Sequence, residues 1–250
     1  MKIEECNRPK HVQYEFMSDV PLSSKMESIP MYNELLNRIC TSVILGPQGS
    51  GKTSLLMSML QDKFGLKQKY DKVWVILPNT SLSNIVNSPF SKLPEDQILD
   101  DLDEESLQTI FDDVKERAEE NADLKKNKKK RTLVIMDDVS TQFRDKQLRK
   151  MLKTMIKNQS HLQVSMVLIM QSWKDLEPSL RSLINNLFMF KVSKQQLQAV
   201  YSEVLEIPKS KMDSLMRLVY QSPNDFCAIN INTRAIFRNY DRVILDDEET

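Results

Sequence analysis

Glycine is scarce in this chain and is concentrated in one place. Only four of the 250 residues are glycine, and three of the four lie in the segment GPQGSGKT at Gly46–Thr53, whereas average usage is about 7%. A short β-rich run, Thr41–Leu45, precedes this segment, and apolar residues at helical spacing follow it in Thr53–Phe64. A glycine-rich turn between a strand and a helix indicates a backbone that curls closely around a ligand.

The residues of this turn suit a nucleoside triphosphate and its magnesium ion. Glycine lets successive backbone N–H groups face phosphate oxygens, and the helix that follows adds its positive N-terminal end. We expect Lys52 to reach the β and γ phosphates and the hydroxyl of Thr53 to bind Mg²⁺. A chance match is the alternative, but the flanking strand and helix favour ATP binding. The predicted nucleotide contacts are Gly46, Pro47, Gln48, Gly49, Ser50, Gly51, Lys52, Thr53 and Ser54.

Strands and helices alternate along the rest of the chain. The apolar patterns predict strands over residues 41–45, 72–77, 132–136, 164–170, 188–192, 225–231 and 242–245. They predict helices over residues 31–38, 53–64, 104–122, 144–157, 176–187, 194–206 and 209–220. Alternation of this kind predicts a single α/β domain, a P-loop NTPase with a mainly parallel sheet and helices on both faces. We place this ATPase domain at 41–245, after an irregular N-terminal lead-in over 1–40 and before an acidic tail over 246–250.

Charge is balanced overall but uneven along the chain. Lysine plus arginine and aspartate plus glutamate number 35 each, so the net charge gives no argument for nucleic-acid binding. Two basic clusters, Lys125–Arg131 and the back of the helix predicted over 144–157, could contact a phosphate backbone without reading its sequence. A solvated loop and a solvated helix face are the simpler explanation of both, so the pattern alone does not predict a DNA contact.

Composition also bears on compartment and metal content. Apolar residues make up 40% of the chain, enough for a core, yet no run approaches the roughly 20 apolar residues of a membrane span. We therefore expect no membrane span, and a protein on the cytosolic side. Three widely spaced cysteines, Cys6, Cys40 and Cys227, predict neither a disulfide framework nor a zinc site.

A second motif, TLVIMDD, ends a strand in two carboxylates. Ligands bind open α/β sheets at the carboxyl ends of their strands, so Asp137 is expected to hold Mg²⁺, directly or through water. Asp138 is the candidate for orienting or deprotonating the attacking water. Two aspartates that merely end a strand are the alternative, which the nearby phosphate-binding loop makes the weaker one.

Two further side chains are candidates for the same chemistry. Gln171 ends the strand VSMVLIM, where an amide can sense the γ phosphate or position water, although a polar residue there can simply begin a loop. Arg181, in EPSLRSLINN, could stabilise transition-state charge in a neighbouring subunit, but from spacing alone an ordinary solvated arginine is the better interpretation. His161 has no partner pattern that predicts a metal or catalytic role.

The motifs LGPQGSGKTS, TLVIMDDVS, HLQVSMVLIMQS and LRSLINNLFMF, in this order, resemble those of the genome-packaging ATPases of large DNA viruses and virophages. These enzymes form part of the FtsK/HerA superfamily, and the resemblance covers about residues 40–232. It implies a RecA/FtsK-like fold, with Lys52 and Thr53 at the nucleotide, Asp137 at the metal and Asp138 as the catalytic carboxylate. It also implies Gln171 as the sensor and Arg181 as an arginine finger.

The resemblance further implies a function and partners. Its members pump double-stranded DNA into preformed capsids as pentameric or hexameric rings, without sequence preference. ATP hydrolysis with Mg²⁺ would drive that movement, viral capsid components would be partners, and the host cytoplasm, with the virion as a second location, would be the place of action.

Two positions depart from the family pattern. Asp138 stands where cellular members of the superfamily often have glutamate, which is longer by one methylene. Ser160 precedes His161, where viral relatives tend to have arginine. If that arginine serves catalysis or subunit contact, the candidates to replace it are Arg181, Arg149 and Arg131.

Two other functions are compatible with the residues. A soluble nucleotide kinase would share the phosphate-binding loop but would need acceptor-binding and lid arginines, and DNA would not affect its turnover. A nucleotide-gated assembly switch would hydrolyse slowly, and the pairing of Asp138 with Gln171 argues mildly against it.

Overall fold

The computed structural model describes residues 2–4, 30–36, 38–61, 70–77, 89–124, 128–205 and 209–244. Most of the predicted lead-in, the first three residues of the basic run and the predicted acidic tail lie outside these ranges. The strands are β1 Lys2–Glu4, β2 Thr41–Leu45, β3 Lys72–Ile76, β4 Ile98–Leu99, β5 Thr132–Asp137, β6 Val164–Met170, β7 Asn186–Phe190, β8 Phe226–Asn230, β9 Ile236–Arg238 and β10 Asp241–Ile244. The α-helices are α1 Pro30–Leu36, α2 Lys52–Gln61, α3 Glu104–Glu120, α4 Lys146–Lys157, α5 Gln159–Leu162, α6 Pro178–Arg181, α7 Lys194–Val200 and α8 Lys209–Val219.

These strands form one sheet in the order β1-β10-β9-β8-β7-β2-β6-β5-β3-β4. The segment from β7 to β4 is parallel, with β2 between β6 and β7. Strands β2, β5 and β6 are buried apolar runs, which suits parallel strands covered on both faces. The predicted mainly parallel α/β fold is confirmed.

Alternate residues of the central strand enter two separate cores. Val43 and Leu45 of β2 join one apolar cluster, and Ile44 joins the other. Helices α3, α4 and α8 cover the first face, whereas α1 and α2 cover the second. Successive side chains of a strand point to opposite faces, so a sheet with helices on both sides follows from the apolar runs.

The sheet continues beyond the parallel part in an antiparallel extension. Strand β7 pairs antiparallel with β8, followed by β9, β10 and β1. The sequence predicted β8 and β10 but missed β9 and β1. Lead-in residues therefore take part in the fold: β1 joins the sheet edge, and α1 packs its buried Met31 and Leu35 into the second core.

The helix predicted over 176–187 is wrong in length. Only Pro178–Arg181 is helical, although Leu176, Leu180, Ile184 and Leu187 are all buried as their spacing indicated. The backbone joins the sheet at residue 185, whose N–H donates to the Thr41 carbonyl, and this ends any helix before β7. The helix predicted over 194–206 likewise changes from α-helix to a π-helical turn at Tyr201–Leu205.

Within the described ranges, none of the helices is both long and apolar enough to cross a membrane.

A buried carboxylate fixes the corner that leads into the antiparallel extension. Asp225 accepts hydrogen bonds from the backbone N–H groups of Gln221 at 3.0 Å and Ser222 at 2.8 Å. It also accepts from the side chains of Asn239 at 2.9 Å and Arg238 at 3.3 Å. These donors join the end of α8 to the β9–β10 turn through one side chain.

Asp225→Ala is expected to lower the free energy of unfolding by about 3 kcal/mol, because it removes a charged acceptor and leaves its four partly buried donors unpaired. Chemical denaturation measures the effect. Asp213→Ala, which removes an exposed aspartate of α8, is the matched control and should cost far less. Equal stability of the two variants would contradict the role of Asp225.

Candidate active site

The loop between β2 and α2 leaves the sheet beside the end of β6. The N–H of Gly46 donates to the Met170 carbonyl at 3.1 Å, which extends the pairing of β2 by one residue. Gly49 and Gly51 have φ of 75° and 103°, in the left-handed region that favours glycine. The helix α2 begins with a hydrogen bond from the Leu55 N–H to the Gly51 carbonyl at 2.9 Å. The loop therefore wraps the N-terminus of α2, as anion binding requires.

Phe190, the last residue of β7, packs beneath this loop. A Cβ added to Gly46 would lie 2.9 Å from the Phe190 Cβ, and one added to Gly51 would lie 3.3 Å from its ring. The hydroxyl of Tyr220 donates to the neighbouring Met189 carbonyl at 2.8 Å, which holds the end of β7 in place. The sequence predicted a strand here but not its contact with the loop, because the adjacency of β7 and β2 is a property of strand order.

Lys52 lies over the loop that precedes it. Its ammonium donates to the carbonyls of Gly46 at 2.8 Å and Pro47 at 2.9 Å. Partial burial lowers the pKa of Lys52, and the nearby charges of Asp137 and Asp138 oppose that effect. The structure thus brings the predicted phosphate-binding lysine to both predicted carboxylates.

The two carboxylates differ in environment. Asp137 ends β5 opposite Ile169 of β6, and burial, with a smaller contribution from Asp138, raises its pKa to about 6 against the opposing charge of Lys52. Asp138 is exposed and has a φ of 55°, uncommon for a residue other than glycine and a form of strain that concentrates at functional sites. One carboxylate is half-buried and the other faces solvent, which suits a metal ligand beside a water-activating group.

Gln171 lies directly after β6 and meets Asp138. Its amide nitrogen is 3.4 Å from an Asp138 carboxylate oxygen, a long hydrogen bond between exposed side chains. The structure therefore gathers Lys52, Asp137, Asp138 and Gln171 at one edge of the parallel sheet.

The residues here fit a nucleotide with Mg²⁺. Oxygen atoms are the ligands that Mg²⁺ prefers, and Thr53 in the first turn of α2 and Asp137 supply a hydroxyl and a carboxylate. The Ser50 hydroxyl is buried without a hydrogen-bond partner among the described residues. An unpaired buried hydroxyl costs free energy, so the loop has a polar group available to a ligand.

Arg181 is engaged within its own chain. Its Nε donates to the Leu176 carbonyl at 2.8 Å, and its Nη1 lies 2.5 and 2.6 Å from the two carboxylate oxygens of Glu203. The indole N–H of Trp173 donates to the same carboxylate at 2.9 Å. This cluster joins the segment after Gln171 to the π-helical turn, and no pattern in the sequence predicts it.

The two other arginines considered as replacements are placed differently. Arg149, on α4, forms an ion pair with Glu177 at 3.2 Å. The backbone N–H of Arg131 donates to the Asp71 carboxylate at 2.7 Å, just before β5 begins. Arg131 therefore lies at the amino ends of the parallel strands, opposite the edge that carries Asp137.

The mainly parallel sheet and the Gly46–Thr53 loop between β2 and α2 define a protein with the P-loop NTPase fold. The genome packaging NTPase B204 from Sulfolobus turreted icosahedral virus 2, solved with AMP, is similar at a TM-score of 0.55 and 15% identity, over 83% of this chain and 98% of that one. The DNA-packaging ATPase B204 from Sulfolobus turreted icosahedral virus gives 0.56 and 17%, over 82% and 98%. ATPases 2 and 3 of EssC from Geobacillus thermodenitrificans give 0.57 and 14%, over 84% and 41%.

The chain belongs to the poxvirus A32 protein family, whose model matches residues 27–250. A comparison with curated proteins gives no match. The resemblance to viral genome-packaging ATPases that the motifs indicated is therefore confirmed.

Gly46→Ala is expected to destabilise the protein by about 2 kcal/mol, because the new Cβ would lie 2.5 Å from the Ser50 Oγ and 2.9 Å from the Phe190 Cβ. Adding Ser50→Ala removes the first clash, so the double variant should recover part of the loss. Thermal unfolding of the single and double variants measures both effects. A Gly46→Ala protein as stable as the parent would contradict the close contact with Phe190.

Proposed function

We propose that this chain is an ATPase that moves double-stranded DNA, without sequence preference, into a preformed viral capsid. It would act as a pentameric or hexameric ring with capsid components, in the host cytoplasm and also in the virion. The observation that carries the proposal is the meeting of Lys52, Asp137, Asp138 and Gln171 at one sheet edge. Membership of the poxvirus A32 protein family and a fold shared with two B204 packaging enzymes support it.

The loop would bind ATP through its backbone and Lys52. The N–H groups around Gly49 and Gly51 and the N-terminus of α2 supply positive partial charge to the phosphates. Lys52, held over the loop by two carbonyls, is positioned to turn its ammonium to the β and γ phosphates. Thr53 and Asp137 would hold Mg²⁺, which neutralises charge on the phosphate oxygens when bound.

Hydrolysis requires water to attack the γ phosphorus as the bond to the β-phosphate oxygen breaks. Asp138, exposed at the strand end, is placed to accept a proton from that water. Gln171 contacts the same carboxylate and would fix its orientation. A structural change at the γ phosphate would therefore be transmitted through this amide to the end of β6. The products are ADP and inorganic phosphate, and the proton leaves to solvent.

ATP turnover with and without duplex DNA tests the proposal, and we expect DNA to raise the wild-type rate at low salt. Lys52→Ala should lose tight nucleotide binding. Asp138→Asn should bind nucleotide but lose turnover by about a hundredfold or more, because the water loses its base. Asp123→Asn, at an exposed aspartate after α3, is the matched control. Normal turnover by Asp138→Asn would contradict the base assignment, and a wild-type rate indifferent to DNA would count against translocation and favour a kinase or a switch.

The role proposed for Arg181 in a neighbouring subunit has a separate test. If Arg181 acts in trans, Arg181→Ala should keep nucleotide binding and lose turnover, and mixing it with Lys52→Ala should restore part of the activity. Glu203→Gln weakens the same ion pair but keeps the guanidinium, so it should remain active under that mechanism. Equal losses of stability and activity in Arg181→Ala and Glu203→Gln, with no recovery on mixing, would show that the pair is structural instead.

A further inference from the structure

A cavity of about 430 Å³ adjoins the site at the carboxyl ends of β5 and β6. Part of its lining comes from residues that follow Asp138, including Ser140, Thr141 and Arg144. Another part comes from residues that follow Gln171, including Lys174 and Asp175. Both chain segments that follow the proposed catalytic carboxylate and sensor therefore contribute to the cavity wall.

Basic side chains outnumber acidic ones along the lining of this cavity by three to two. Arg144, Arg149 and Lys174 line the cavity together with two acids, Asp175 and Glu177. Arg149 is paired with Glu177. In the part of the chain that the structure describes, Arg144 and Lys174 are exposed and their side chains make no hydrogen bond or ion pair with other residues. Two cations are thus available to an external anion beside a single unpaired acid.

Helix α4 continues the positive charge away from the cavity. It contains five basic residues and no acidic residue, and it begins directly after Arg144 and Asp145. The Asp145 carboxylate is occupied as the helix cap, because it accepts the N–H groups of Gln147 and Leu148. Lys146 and Lys150 are exposed and one turn apart, roughly 6 Å along the helix. We call Arg144, Lys146, Arg149, Lys150 and Lys174 the carboxyl-edge basic surface.

We infer that the carboxyl-edge basic surface binds the phosphate backbone of duplex DNA. The inference rests on the proposed function and adds to it the place where DNA contacts the chain. Lysine and arginine neutralise backbone phosphates without reading bases, and the planar guanidinium of Arg144 can bind two phosphate oxygens at once. The described residues of the other basic cluster, Lys128–Arg131, lie at the opposite, amino ends of the strands, before β5 begins.

The position of the surface also explains how DNA would act on hydrolysis. Arg144 lies six residues after Asp138, and Lys174 lies three residues after Gln171. Val139, Phe143 and Trp173, which connect these positions, are buried, so the connecting segments are packed against the core. A DNA phosphate bound by both Arg144 and Lys174 would therefore contact both segments. These segments meet at the hydrogen bond between Asp138 and Gln171.

The test measures DNA affinity against salt concentration for Arg144→Gln/Lys174→Gln. A matched control, Arg38→Gln/Lys128→Gln, removes two exposed cations near the opposite ends of the parallel strands. Each phosphate contact contributes about 0.9 to the slope of log affinity against log salt, so the first variant should have a slope shallower by about 2. Between 50 and 200 mM salt, the affinity of the wild type and the control should therefore fall roughly tenfold more than that of the variant. The probe is a fluorescent duplex of arbitrary sequence.

ATP turnover in the same variants separates the outcomes. Arg144→Gln/Lys174→Gln should keep the DNA-free rate and lose stimulation by DNA, and that unchanged rate shows that the protein is folded. Asp175→Asn removes the unpaired acid and should bind the duplex more tightly, a gain that misfolding cannot produce. If wild type responds to DNA and Arg144→Gln/Lys174→Gln keeps the wild-type salt slope, the inference is overturned while the proposed function stands. Poly-L-glutamate, a polyanion without phosphate, is the control ligand. If the wild type binds poly-L-glutamate but no duplex DNA, both the inference and the proposed function are overturned.

Discussion

The fold depends on the parallel pairing of β2 with two neighbours at once. Thr41–Leu45 is hydrogen-bonded to β6 on one side and to β7 on the other. Since all three strands run in the same direction, the phosphate-binding loop, Gln171 and Phe190 emerge together at one edge. Strand β5 lies beyond β6 and brings Asp137 to the same edge. The chemistry of the site is thus a consequence of sheet direction rather than of any single loop.

The sequence predicted the central strands well because their signal is local. The bounds of β2 and β6 match the apolar runs, and β5 ends at Asp137 in the motif TLVIMDD, as the sequence indicated. The antiparallel extension was only half predicted, because β1 and β9 are three-residue strands with too few positions for a period to show. The apolar spacing of Leu176 to Leu187 is equally compatible with a buried irregular segment, and only the pairing at residue 185 decides between them.

The parts of the site that the sequence could not predict are those set by contacts between distant segments. Phe190 supports the loop because β7 is adjacent to β2, and Arg181 meets Glu203 because a π-helical turn brings that carboxylate to Trp173. Lys174 and Arg144 are thirty residues apart and line one cavity only because β5 and β6 are neighbours. The motifs predict the candidate reacting groups, whereas the order of strands in the sheet determines which side chains support them.

The outermost strands have a consequence for how copies of the chain can associate. At either end of the sheet described here lie β4, of two residues, and β1, of three. Short edge strands offer few free N–H and C=O groups, so they resist the strand-by-strand association that leads to aggregation. Subunits built on this fold would therefore associate through side-chain surfaces instead of forming one continuous intermolecular sheet, and such contacts can separate and re-form without breaking a backbone ladder.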